Sequence, residues 1–269
     1  MIYINLLLMG LSFAESPSIS EATKDENGFL VHVVASDYQK GRTDIRVLLP
    51  DKFEKAFHYP VIYVLPVEAK SESRFGDGML EIKKLDLHNK QKAIFVAPTF
   101  SHLPWYADHP TDASIRQETY FLKVVIPFVD KTYSTKFEAS GRLLLGFSKS
   151  GWGAWSLLLR HPDLFGRAAA WDAPLLMEKP DKYGMGDIFG NQENFEKYRI
   201  AKLVDASNLG KDKRLILLGI GNFREQHEKM HALLEAKKIP HGYTVGPLRK
   251  HDWHSGWVDE AVAALLEER

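Results

Sequence analysis

The chain of 269 residues contains no cysteine. Disulfide frameworks, thiolate metal sites and cysteine nucleophiles are thereby excluded together. The redox compartment stays open, because a domain of this size needs no covalent staples. An excess of either charge is missing too: 35 Lys+Arg offset 35 Asp+Glu, and no block of like charge runs past a few residues. Nucleic-acid binding and attachment to an anionic membrane surface both require a basic face, so neither is an expected partner. No apolar run reaches the roughly 20 residues needed to span a bilayer, and no internal repeat or low-complexity tract is present. What the chain does have is 45% hydrophobic and 12% aromatic residues, enough to bury a sizeable core.

Residues Met1 to Ala14 read MIYINLLLMGLSFA and carry no side-chain charge. The apolar run from Ile2 to Phe13 has the length of a signal-peptide h-region, and Ser12 and Ala14 supply small residues ahead of a cut before Glu15. The charged n-region is reduced to the α-amino group. The expectation is a signal peptide over 1–14, a flexible stretch over 15–27 and one domain over 28–269, in a secreted or periplasmic protein. The alternative for the first segment is a buried N-terminal strand.

Further along, short apolar runs rich in β-branched residues recur. Phe29 to Ala35 and Asp44 to Leu49 suggest an antiparallel pair. Pro60 to Leu65, Ala93 to Ala97, Leu143 to Gly146, Ala168 to Trp171, Leu215 to Ile220 and His241 to Val245 follow. Runs apolar almost throughout point to strands covered on both faces, hence to a mostly parallel sheet of about eight strands. Helical patterns over Glu118 to Val129, Trp152 to Arg160, Phe223 to Lys238 and Trp257 to Glu268 supply the flanking layers. This alternation predicts an α/β fold with ligands at the carboxyl ends of the strands. The polar connections over about 68–91, 99–117 and 175–206 are expected to form the surface above such a site.

The chemistry concentrates in RLLLGFSKSGWGAWSLLLRHPDLFG, Arg142 to Gly166. A strand runs into Gly146-Phe147-Ser148-Lys149-Ser150-Gly151 and a helix starts at once, the context of a nucleophile elbow. The strained turn needs small residues two positions either side of the serine. Gly146 meets that need, and Ser150 stands where a second glycine is usual. The turn lifts the Ser148 hydroxyl above the sheet and directs the helix-start N–H groups, Lys149 first, at a developing oxyanion.

This stretch resembles the esterase family of α/β hydrolases that includes S-formylglutathione hydrolases, feruloyl and acetylxylan esterases and mycolyltransferases. The family elbow G-x-S-x-G-G leads into a helix and an R-x-P-D-x-F-G-like turn, similar to Arg160-His161-Pro162-Asp163-Leu164-Phe165-Gly166. Tyr59-Pro60-Val61-Ile62-Tyr63-Val64-Leu65 resembles the strand before the family's oxyanion loop. Trp105-Tyr106 and Glu118-Thr119-Tyr120-Phe121 extend the resemblance over most of the chain from about residue 28.

The resemblance implies an α/β-hydrolase fold and serine carboxylic-ester hydrolysis through an acyl-enzyme on Ser148. Triad order in that fold is serine, acid, histidine, which puts the base near the C-terminus. His251-Asp252-Trp253-His254-Ser255-Gly256-Trp257 is similar to the family's G-x-H-x-W-x-x-W and places the role on His251. Because the second tryptophan falls one residue late, His254 is a rival. The acid usually follows the seventh strand, where this chain has Asn222. Asp172, just past the sixth strand, and Glu225, one turn into the next helix, are the candidate replacements, and the third alternative is that no acid is present. The family's His-Gly oxyanion loop is Pro66-Val67-Glu68 here. Proline has no N–H, so Val67 or Glu68 must donate, and the Glu68 carboxylate is unwelcome beside a developing anion.

Trp105, Tyr106, His109, Trp152, Trp171 and Trp253 are expected in or beside the loops around Ser148. Trp105, Tyr106 and Trp152 are the candidate substrate-binding residues, for a small-molecule or carbohydrate-linked ester, unless these aromatics simply close the core. Two other readings stand beside the esterase. Asn222, Ser150 and the Pro66-Val67-Glu68 loop suit a hydrolase-fold binding protein with weak or no turnover. His227-Glu228-Lys229-Met230-His231 spells H-E-x-x-H and would suit a zinc peptidase, although Leu234 stands where the metzincin continuation has glycine. No cofactor or metal is expected for the esterase reading, and the oligomeric state is left open.

Overall fold

The computed structural model describes residues 16–267. Ten strands form one sheet in the order β1-β3-β4-β6-β5-β7-β8-β9-β10, with β2 also paired to β3. They are β1 (Ser18–Ile19), β2 (Thr23–Lys24), β3 (Leu30–Ala35), β4 (Arg42–Leu48), β5 (Val61–Val64), β6 (Ile94–Pro98), β7 (Arg142–Phe147), β8 (Arg167–Trp171), β9 (Leu215–Ile220) and β10 (His241–Leu248). The pairs from β6 through β10 are parallel, and those among β1 to β4, with β4 on β6, are antiparallel. The eight expected strands are all present. The two extra ones come from the stretch expected to be flexible: Ser18 to Lys24 covers the outer edge of β3, and His32 Nδ1 lies 2.8 Å from the Ser20 carbonyl. An otherwise unpaired row of backbone groups on β3 gives that polar segment its partner. The signal-peptide expectation and its strand alternative fall on residues 1–14, outside the described residues.

Helices α1 (Gly78–Lys84) and α2 (Leu87–Lys90) follow β5. Helix α3 (Gln117–Tyr120) passes through one π-helical turn, Phe121–Val125, into α4 (Ile126–Thr132), and α5 (Lys149–Arg160) follows β7. Short helices α6 (Gly186–Phe189), α7 (Gln192–Glu196) and α8 (Ile200–Ala206) fill the connection from β8 to β9. Helices α9 (Arg224–Ala236) and α10 (Val258–Leu266) flank β10 in sequence. Along the buried strands side chains alternate between two cores, as strand geometry requires. Val61, Tyr63, Leu144, Ala168 and Leu217 face α3 to α5, α8 and α9. Ile62, Val64, Leu145, Trp171 and Leu218 face α1, α2 and α10.

Strand β5 neighbours both β6 and β7, so chain direction across the sheet reverses there. Carboxyl-end loops on either side of such a switch point open a crevice. One of these loops begins at Pro66 and the other holds Ser148. Among the described residues, no helix is long and apolar enough to cross a membrane.

Candidate active site

Ser148 occupies the sharp turn between β7 and α5 with φ 54° and ψ −127°, a conformation that side chains rarely adopt. The flanking residues show why the turn tolerates little else. A Cβ on Gly146 would lie 2.1 Å from the Ser150 carbonyl oxygen, and one on Gly151 would lie 2.8 Å from Ala173 Cβ. Ser150 is buried, accepting from the Phe147 N–H at 3.0 Å and donating to the Phe147 carbonyl at 2.9 Å. The serine in place of a second glycine therefore ties the turn back onto β7 at no loss of polar pairing.

His251, in the loop between β10 and α10, lies with Nε2 3.0 Å from Ser148 Oγ and Nδ1 2.5 Å from Asp172 Oδ2. An ionised carboxylate only accepts, so Nδ1 carries the proton and Nε2 is free to accept from the serine hydroxyl. Asp172 follows β8, is buried, and sits at φ 43°. Its carboxylate accepts the Asn222 N–H at 2.9 Å and the Phe223 N–H at 2.6 Å. Burial raises its pKa, but the hydrogen bonds from His251, Phe223 and Asn222 outweigh that effect and hold it below the ordinary value. Asn222 thus serves through its backbone, while Asp172 from the neighbouring strand fills the carboxylate position. A Cβ on Gly221 would come within 2.2 Å of Asp172 Oδ2. The glycine is what admits the carboxylate.

The other candidates are engaged elsewhere. Glu225 is exposed on α9 and bonds Lys229 at 2.6 Å, whereas Asp172 is the carboxylate that meets His251. His254 accepts the Asp77 N–H at 3.2 Å and bonds Glu81 at 2.7 Å, whereas His251 is the histidine that meets Ser148. The two H-E-x-x-H histidines bond different partners. Buried His227 accepts the Ala173 N–H through Nε2 at 2.8 Å, His231 bonds His241 at 2.8 Å, and Glu228 bonds Arg224 at 2.6 Å.

The expected oxyanion donors are the backbone N–H groups of Lys149 and Val67. Lys149 offers one at the first turn of α5, where the helix dipole favours an anion. Val67 offers the other. The Pro66 carbonyl, in the same planar peptide as the Val67 N–H, accepts the Tyr106 hydroxyl at 2.6 Å. Because the two groups of a trans peptide point in opposite directions, that bond sets the direction of the N–H. Glu68 is buried, yet it is compensated. Its carboxylate accepts the Phe75 N–H at 3.3 Å and faces Arg74 at 3.4 Å, and it raises the pKa of Lys149 against the stronger lowering by burial.

Trp105, Tyr106 and Trp152 have no exposed surface. The expectation that they bind substrate therefore gives way to the core-closing alternative. Trp105 packs edge-on to Trp152 with centroids 5.5 Å apart, and Tyr106 fills the space over Gly153, where a Cβ would meet its ring at 2.0 Å. Trp171 and Trp253 are buried as well. The accessible aromatics are residues that sequence reasoning missed. Phe75 and Phe223 are half-buried with rings 5.4 and 5.8 Å from His251, and Tyr183, 52% exposed, contacts Phe223 at 5.9 Å. Isolated aromatics inside polar connections, as in Arg74-Phe75-Gly76, were the available signal.

Hydrogen bonds join Ser148, His251 and Asp172 at the carboxyl ends of β7, β10 and β8, within an α/β-hydrolase fold whose Ser-His-Asp enzymes use this arrangement. The chain belongs to the Esterase family (Putative esterase), whose pattern it matches over residues 36–266. Esterase Rv1288 of Mycobacterium tuberculosis (strain H37Rv) is 26% identical over 139 residues, a match covering 50% of this chain and 30% of the relative. The matched part is therefore less than a third of that protein's length. Fluorophosphonate-binding serine hydrolase F of Staphylococcus aureus superposes with a TM-score of 0.70 at 16% identity, over 93% of this chain and 100% of the other. The ferulic acid esterase AmCE1/Fae1A of Anaeromyces mucronatus, solved with ferulic acid, gives 0.61 at 17% identity over 95% and 94% of the two chains.

Proposed function

We propose that this protein is a serine esterase that hydrolyses a carboxylic ester through an acyl-enzyme on Ser148. The observation that carries the reading is the hydrogen-bond relay from Ser148 through His251 to buried Asp172, at 3.0 and 2.5 Å. As His251 Nε2 takes the hydroxyl proton, Ser148 Oγ bonds the ester carbonyl carbon. The Lys149 and Val67 N–H groups receive the negative charge that forms on the carbonyl oxygen. Collapse breaks the bond to the alcohol, which leaves with the proton from His251. Water then repeats the sequence on the acyl-enzyme and releases the acid. Phe75, Phe223 and Tyr183 form an aromatic rim beside the base, which supports a flat or carbohydrate-linked acyl ester as substrate. Export through the apolar leader belongs to the same proposal, and sequencing the N-terminus of protein recovered from its native host tests it.

The test of the mechanism is labelling with a fluorophosphonate, read by intact mass and peptide mapping. The expected result is one adduct, on Ser148, absent from Ser148→Ala protein that also fails to turn over aryl and feruloyl esters. A folded wild-type protein that takes no label, or a Ser148→Ala variant with full turnover, defeats the proposal.

A further inference from the structure

At the amino end of edge strand β10, at the opposite end of the parallel strands from Ser148, three side chains converge that the ester chemistry does not use. His241 is the first residue of β10 and is buried. Its Nδ1–H donates to the Ile239 carbonyl at 2.8 Å, which leaves the Nε2 lone pair turned toward α9. There Nε2 lies 2.8 Å from His231 Nδ1 and 3.8 Å from Glu235 Oε1. The three candidate donor atoms all lie within 4.8 Å of one another. His231 and Glu235 are four residues apart on α9 and so share one face. The Tyr243 ring stacks on His231 with centroids 3.9 Å apart and planes 16° apart, which fixes the imidazole from the outside.

We propose that His231, Glu235 and His241 form a binding site for a divalent transition-metal ion, Zn2+ in particular, that fastens α9 to the edge strand β10. Two imidazoles and one carboxylate suit Zn2+ rather than the oxygen-seeking Ca2+ or Mg2+. A backbone carbonyl holding the second nitrogen of a ligating histidine is the usual outer support of such a ligand. Without metal, His231 must donate its Nδ1 proton to His241. With metal, that proton moves to His231 Nε2, both lone pairs point at the ion, and no net proton is lost. Zn–N bonds of about 2.0–2.1 Å in tetrahedral geometry hold two nitrogens roughly 3.3 Å apart. The rings therefore separate by about half an ångström on binding, and Glu235, whose side chain is largely exposed, swings in from solvent. Three protein ligands leave the fourth position to water.

The experiment uses chelator-stripped full-length protein titrated with ZnCl2 by calorimetry, with thermal unfolding and aryl-ester turnover followed in parallel. One equivalent binds, the unfolding midpoint rises, and turnover well below the transition is the same with Zn2+ or chelator. His231→Gln and Glu235→Gln, both at positions with solvent access, weaken binding by about tenfold or more and remove the rise in midpoint. His58→Gln, on an exposed histidine elsewhere, changes neither. Absence of binding, or variants that bind as well as wild type, overturns the site. Turnover that falls with chelation overturns its assignment as a structural rather than catalytic ion.

Discussion

The proposed triad depends on backbone groups that hold Asp172 in place. Asp172 lies in an uncommon backbone region, and two N–H groups and His251 surround its carboxylate. In Asp172→Asn the amide nitrogen would face His251, forcing the imidazole into the tautomer whose Nε2 carries a hydrogen and cannot accept from Ser148. The expected loss is about ten-thousand-fold in kcat at neutral pH, measured on a soluble aryl ester, while Glu225→Gln stays at wild-type rate. Tyr106 acts at one further remove, fixing the Pro66–Val67 peptide through its hydroxyl. Tyr106→Phe keeps the buried ring and frees the peptide, so kcat should fall by about tenfold with KM nearly unchanged, because the affected donor acts mainly on the charged intermediate. An equal rise in KM with constant kcat would place Tyr106 in ground-state binding instead.

Two loops meet over the triad. One, running from Pro66 to α1, supplies the Val67 N–H and Phe75. The other, between β10 and α10, supplies His251. They are joined by the Trp253 N–H on the Phe75 carbonyl at 2.9 Å and the Asp77 N–H on His254 Nε2 at 3.2 Å, with Glu81 gripping the opposite nitrogen of His254. His254 is thus a positioning residue. His254→Ala should cost about tenfold in kcat by loosening the loop, against about ten-thousand-fold for His251→Ala. Steady-state rates of the two variants decide between the neighbouring histidines.

The elements themselves were legible in the sequence because burial on both faces leaves uninterrupted apolar runs. Val61 to Val64 and Leu215 to Ile220 fall within a residue of their expected bounds. The elbow was legible because its sterics admit so few residues. The acid was left open among Asp172, Glu225 and none, since the decisive contacts run between β8 and the start of α9, about fifty residues apart in sequence. The role of Trp105, Tyr106 and Trp152, substrate-binding or core-closing, stayed open for a related reason. A loop rich in aromatics reads the same whether it lines a crevice or folds inward, and only the packing of Trp105 against Trp152 and Tyr183 distinguishes the two.

At the scale of the whole molecule, α9 couples stability to the site. The N–H groups of Asn222 and Phe223, just ahead of its first turn, bond Asp172, and His227 within the helix accepts the N–H of Ala173, the residue after Asp172. Burial lowers the His227 pKa to about 4, against the opposing pull of the Asp172 carboxylate. Between its ordinary value of about 6.5 and that value, the unfolded chain binds a proton that the folded chain does not. Stability must then fall as pH drops through this window, and it is fully retained above the upper end. The total from this one group is about 3 kcal/mol. Asp172 has the same sign but a lower window, since its folded pKa lies below the ordinary carboxylate value and its contribution fades only under strongly acid conditions. Chemical denaturation of wild type at intervals from pH 7.5 to 4.5 should show the His227 decline. In His227→Gln, which keeps an acceptor for Ala173 and removes the titration, the decline over that range should shrink by most of that amount. A curve as steep in the variant as in wild type would move the acid sensitivity to another group.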